Sequence, residues 1–252
     1  MTLKTFRNIF GYTNAVLTRK PSRQSGQALR DLPIYSIPEA AAFLAIPRRT
    51  MHEWFLGPRR LFRPAGDYKS YSLLSFRDLS EAYMVYLLKE FHHLSMFTIR
   101  RSLESLRKES KSRNPLMNLD IKVFANSLLL DRPPRGTRGR MVVDLSHSRQ
   151  LALGDVVDVF TKRILQDSKG QPLAIFPWRF FAQDHESRPV SIDPDVMSGN
   201  LVVFGTRVPV RILLGLTLAA KSHEEIAKSY RLDPDAVKKA LLHFENPLQK
   251  VA

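Results

Sequence analysis

Short helical segments, each closed off by a proline or glycine, set the scale of what this chain can build. Ser36-Ile37-Pro38-Glu39 has the form of a capping box. The serine hydroxyl accepts from the third backbone amide of a new helix, the glutamate reaches back to the cap, and proline is tolerated in the first turn. Ile37, Ala40, Ala41 and Leu44 then recur at three- and four-residue spacing, so this helix is short and buries one face. Ile46-Pro47 ends it, because the residue before proline is pushed out of helical geometry. A second helix is predicted over Arg48 to Phe55, with Met51, Trp54 and Phe55 as its inward face and Trp54 as a core anchor. Two short helices joined by a tight turn form a helix-turn-helix. The second carries Arg48, Arg49, Thr50 and His52 near its start, residue types that reach base edges and phosphates from a major groove.

After Gly57, Arg59, Arg60, Arg63 and Lys69 are interleaved with Leu61, Phe62, Tyr68 and Tyr71. Gly66-Asp67 reads as the turn of a β-hairpin, a wing whose cations suit the phosphate backbone in a salt-sensitive, sequence-independent way. An ordinary solvated loop is the alternative. Two longer helices follow. Phe76 to Phe91 places Leu79, Ala82, Tyr83, Tyr86 and Leu87 on one stripe; Thr98 to Lys111 places Ile99, Leu103 and Leu106 inward and Arg100, Arg101, Arg107, Lys108 and Lys111 outward. His92-His93 is only a weak metal signal, since adjacent histidines point apart and no third ligand is near in sequence, and a capping or surface role is the favoured reading.

Charge divides the chain in the same way. Of a net +15 over 252 residues, residues 1–118 carry +11, residues 119–188 carry +3 and residues 189–252 carry +1. A segregated excess of this kind points to one polyanion-binding module beside modules with other work. The first thirty residues hold six basic groups and no acid, and residues 1–32 read as a flexible arm. A groove-reaching DNA arm and an organellar transit peptide remain alternatives. The absence of cysteine excludes a disulfide framework, a thiolate nucleophile and a cysteine-ligated zinc finger, and fits a reducing, cytoplasmic compartment. No run of eighteen apolar residues occurs, which excludes a spanning helix.

The expected fold is mainly α with small β elements: a winged helix-turn-helix over residues 33–118, a β-containing connector over 119–188, and a three-helix, homeodomain-like module over 189–252. The connector has short β-like runs at Ile121–Phe124, Ser127–Leu130, Met141–Leu145 and Leu173–Phe176, while Gly154 to Leu165 is ambiguous between helix and strand. In the last module two short strands flank Ser198-Gly199-Asn200. Pro209 starts one helix, Ser222-His223-Glu224-Glu225 caps a second, and Asp233-Pro234 caps a third.

The order helix, turn, helix, wing, helix, helix resembles the winged DNA-binding domains of the MerR type, with Trp54, the Gly57 turn, Tyr71 and Asp78-Leu79 carrying the likeness. That resemblance implies dimerisation through the paired helices. Ile192-x-Pro194-x-Val196-x-x-Gly199-x-x-Val202-x-x-Gly205-Thr206-Arg207-Val208-Pro209-Val210, followed by Glu225-Ile226-Ala227 and Tyr230-x-Leu232, is similar to the small domain of unknown function of bacterial VapB-type antitoxins. Leu201 departs from the proline usual in that family, and Gly215 stands where a polar residue is common.

The resemblance implies an antitoxin that binds its operator as a homodimer on double-stranded DNA and neutralises a PIN-domain ribonuclease toxin. Arg207 and Arg211 become the candidate partner-binding residues. Arg207 either belongs to the turn into the helix and pairs with a nearby carboxylate or carbonyl, or meets the toxin's acidic metal site. A stand-alone winged-helix regulator with a sensing module is the second reading and a nucleic-acid-processing enzyme the third. The sequence has no Walker loop, no G-x-S-x-G elbow and no H-E-x-x-H, so no catalytic residue, metal or cofactor is expected.

Overall fold

Serine and aspartate caps mark where most of the helices begin, and the helices in turn fix where the strands meet. The structure, a computed structural model, describes residues 29–68, 71–90, 93–109, 113–118, 121–124, 127–132, 141–144, 157–158, 163–167, 171–177 and 187–244. Most of the predicted basic arm lies outside them, as do His92, Lys111 and Asp155.

β1 (Tyr35–Ser36) leads into α1 (Ile37–Leu44), where the Ser36 hydroxyl accepts from the Glu39 amide at 3.3 Å. Ala45, left-handed at φ 54°, closes α1, and α2 (Arg48–Phe55) follows Pro47. β2 (Gly66–Asp67) and β3 (Ser72–Leu74) form a hairpin, and β3 also pairs with β1, giving an antiparallel sheet ordered β1-β3-β2. α3 (Phe76–Glu90) and α4 (Met96–Glu109) come next, close to the predicted limits.

A polar cluster joins these pieces. Ser75 and Asp78 cap α3 reciprocally: the Ser75 hydroxyl accepts from the Asp78 amide and the Asp78 carboxylate accepts from the Ser75 amide. The same carboxylate accepts from the Ala65 amide at 3.0 Å, tying the hairpin to α3. A 3-10 turn at Pro115–Asn118 is held by Glu81, whose carboxyl accepts from the Leu116 amide and from the Asn114 side chain, both at 3.0 Å.

The connector is β, as its short apolar runs predict. β4 (Ile121–Phe124), β5 (Ser127–Arg132), β6 (Met141–Asp144) and β7 (Val157–Asp158) form one antiparallel sheet ordered β6-β5-β4-β7. β8 (Ile164–Gln166) and β9 (Pro172–Ile175) do not join it. They continue into β10 (Val190–Ile192) and β11 (Leu201–Val203) as a second four-stranded sheet, so the stretch read as ambiguous is strand where it is described. α5 (Val210–Leu218), α6 (His223–Tyr230) and α7 (Pro234–Leu241) complete the chain, with the Ser222–Glu225 capping box formed in both directions and Asp233 capping α7.

The fold is therefore mixed α and β, and one apolar core runs from Tyr35 to Leu241. The first and last segments touch directly. The Tyr35 hydroxyl donates to the Gly199 carbonyl at 3.1 Å. The His243 Nε2 lies 3.1 and 2.9 Å from the Ala42 and Phe43 carbonyls; two acceptors on one ring nitrogen require that nitrogen to carry the proton. Arg30 is buried beside Asp195 at 3.5 Å. Among the described residues no helix is long and apolar enough to cross a membrane.

Candidate nucleic-acid interface and partner surface

α2 divides along its length as its sequence requires. Met51, Trp54 and Phe55 are buried, which turns Arg48, Arg49 and His52 to solvent with Thr50 half-exposed. Proline at the cap gives the first-turn amides no side-chain acceptor, so that end of the helix is electropositive. Arg49 pairs with Glu53 at 3.1 Å, but Arg49 is 90% exposed, and a pair so open contributes little and is readily exchanged for another anion.

The loop after α2 is held by its own apolar residues. The Leu61 and Phe62 amides donate to the Trp54 carbonyl at 2.7 and 3.0 Å, and both side chains are buried, Phe62 against Phe55 with ring centroids 5.2 Å apart. Burial of these two turns Arg59, Arg60 and Arg63 outward. Gly57 makes the sharp exit possible, since a Cβ there would lie 2.6 Å from the Glu53 carbonyl.

Two arginines predicted to face solvent hold this loop. The Arg100 guanidinium donates to the Arg59 carbonyl at 2.6 Å and the Arg107 guanidinium donates to the Leu61 carbonyl. They act as positioning residues for the exposed arginines.

The hairpin forms, but its turn is not Gly66-Asp67. Those residues are β2, paired with Leu73 and Ser72, and the chain reverses between Tyr68 and Tyr71, where the Tyr68 amide donates to the Tyr71 carbonyl at 3.0 Å. A Cβ at 66 would come within 2.7 Å of the exposed Tyr68 ring and 3.0 Å of Pro33, so glycine spares both a shift. Tyr68 and Tyr71 are exposed and stacked, with centroids 4.8 Å apart. Sequence reading gave them no paired role. Lys69 lies outside the described residues.

In the C-terminal module, Gly205 at φ +76° and the Thr206 hydroxyl, which donates to the Val203 carbonyl and accepts from the Val208 amide, shape the turn into α5. Arg207 is exposed, with no ion pair or side-chain hydrogen bond among the described residues; it borders a groove of about 510 Å3 together with Leu29, Asp195, Ser198 and Asn200. Arg211 is exposed on α5, away from the 510 Å3 groove lining. The cations predicted as sites thus fall into two separate sets, one on α2 and its following loop, one at the start of α5. Among the described residues no cluster of metal-ligating side chains occurs.

Residues 190–243 match the family described as "Protein of unknown function (DUF433)". A protein of Mycobacterium tuberculosis (strain ATCC 25618 / H37Rv) named "Putative antitoxin VapB45" is 25% identical over 234 residues, which span 84% of this chain and 93% of that protein. The crystal structure of Rv2018 from Mycobacterium tuberculosis superposes with a TM-score of 0.57 at 20% identity, covering 83% of this chain and 98% of that one. This chain is therefore similar in fold to Rv2018, and in sequence, over most of its length, to a protein that bears an antitoxin's name.

Proposed function

We propose that this chain is the antitoxin of a toxin–antitoxin pair, a winged helix-turn-helix protein that binds its own operator as a homodimer and neutralises a PIN-domain ribonuclease. Residues 33–118 are the DNA-binding domain and 119–188 the connector. Residues 189–252 are the homeodomain-like antitoxin module, with Arg207 and Arg211 toward the toxin, and residues 1–32 are a basic arm. The observation that carries the DNA-binding half is the outward set Arg48, Arg49, Thr50 and His52 on the uncapped end of α2, continued by Arg59, Arg60 and Arg63. In this reading α2 enters the major groove and the loop, hairpin and Lys69 follow the phosphates. The antitoxin half is supported by likeness to a protein of that name over 84% of the chain. No catalytic step, metal or cofactor is assigned.

Gel-shift titrations on the DNA upstream of the chain's own gene test the first half. Arg48→Ala with Arg49→Ala is expected to weaken binding to that site about tenfold or more over unrelated DNA, while Arg59→Ala or Arg63→Ala weakens all sequences alike and lowers the salt slope by about one for each phosphate left without its cation. An unchanged shift in the double variant moves recognition off α2. Co-purification with the product of the adjacent gene, and relief of its growth arrest, tests the second half.

A second reading is a stand-alone winged-helix regulator whose C-terminal module senses a ligand or binds another protein. A purified chain that binds operator DNA but neither binds nor inhibits the neighbouring gene product would decide for it.

A further inference from the structure

α5 is seated by Val210 and Leu213, both fully buried, and turns a second apolar face outward. On helical spacing Gly215 and Ala219 run along the middle of that outer face, with Arg211 and Leu218 on one edge and Ile212 and Leu216 on the other. Leu218 is 81% exposed, the most exposed large hydrophobic side chain among the described residues, and Ile212 is 38% exposed. A Cβ at Gly215 would meet nothing within 4 Å. Glycine weakens a helix relative to alanine, and here it relieves no contact among the described residues. A low floor between edges that carry Leu218 on one side and Ile212 and Leu216 on the other is the shape that lets another helix approach closely.

The border of this face is basic. Past Leu216 a groove of about 330 Å3 leads to α6, with Ile226 in it and Lys221 and Lys228 beside it. Glu225, the carboxylate of that groove, accepts from the Ser222 amide in the capping box and offsets one of these charges. Arg211, Lys221 and Lys228 form no ion pairs among the described residues. Arg211, Lys221 and Lys228 against the one carboxylate leave this border net positive, so the complementary occupant is an acidic one.

We propose that the outer face of α5 receives an amphipathic helix of the partner protein, apolar along one stripe and bordered by carboxylates that meet Arg211, Lys221 and Lys228. The proposal rests on the antitoxin reading, since the partner is the toxin, and it places the main grip on α5 rather than on Arg207.

The test uses the full-length chain and the protein encoded by the adjacent gene, titrated calorimetrically. Leu218→Asp and Gly215→Leu are each expected to weaken binding at least tenfold, with the free chain melting no lower than wild type: Leu218 faces solvent, and leucine in place of the helical glycine raises the melting point slightly if it changes it. Lys221→Glu with Lys228→Glu is expected to weaken it and to flatten its dependence on salt. Wild-type affinity in both Leu218→Asp and Gly215→Leu overturns the proposal and leaves the antitoxin reading standing. No binding by the wild-type chain removes both. A homodimer that Leu218→Asp breaks while partner binding is intact assigns the face to a second copy and overturns the proposal as well.

Discussion

Glu81 is 1% exposed and sits where α3 meets the 3-10 turn. Burial raises its carboxyl from 4.5 to about 7; the Leu116 amide, the Asn114 side chain and the nearby Arg107 pull it down, and Asp78 pushes it up. A carboxyl raised in the folded state favours the protonated fold, so its contribution is full below about pH 4.5 and is lost as the pH climbs through about 7. The size of that loss is roughly 2–4 kcal/mol. Urea unfolding is expected to show the chain less stable at pH 8 than at pH 5 by about this amount on account of Glu81, and Glu81→Gln to flatten the difference. An equal pH slope in the variant would assign the titration to another group. Nothing in the sequence singles out Glu81, one of several charged positions on its helix, because its partners at 114 and 116 come from a separate turn.

At the level of elements, what is local in the chain was legible and what is not was missed. Ser36, Pro47, Ser222 and Asp233 act within one helical turn, and the helices they start lie where the caps put them. Gly66 was misread because a glycine beside aspartate suggests a turn. Its real constraint is the approach of Pro33, more than thirty residues earlier. Arg100 and Arg107 do face outward, Arg107 exposed and Arg100 half-buried, but their bonds to the Arg59 and Leu61 carbonyls were not legible because those acceptors lie on a distant loop. The basic face of α2, by contrast, follows from helical spacing alone. Arg107→Ala is expected to cost about 1–2 kcal/mol of stability by freeing a part-buried carbonyl. It should change the salt slope of DNA binding less than Arg59→Ala does. A variant as stable as wild type with the slope of Arg59→Ala would make Arg107 a phosphate contact instead.

Across the whole molecule, the first and last of the segments that charge and motif separate share one apolar core and bond to each other directly. Gly199 shows how tightly: at φ +77° it occupies backbone space that other residues enter at a cost, and a Cβ there would fall 1.9 Å from the Tyr35 hydroxyl. Gly199→Ala is expected to destabilise the fold by about 2–4 kcal/mol, read by chemical denaturation, and to do so in a single transition that α1 and the C-terminal helices share. Two separate transitions would show that the modules fold independently.

His243 extends the same consequence to the far end of the chain. The stretch that matches a known family, 190–243, takes two strands of its sheet from residues before it, rests Gly199 on Tyr35, and ends in a side chain that binds the final carbonyls of α1. The boundary of kinship and the boundary of cooperativity do not coincide here: an excision made at residue 190 would preserve the inherited segment while leaving its sheet edge and its apolar seam bare.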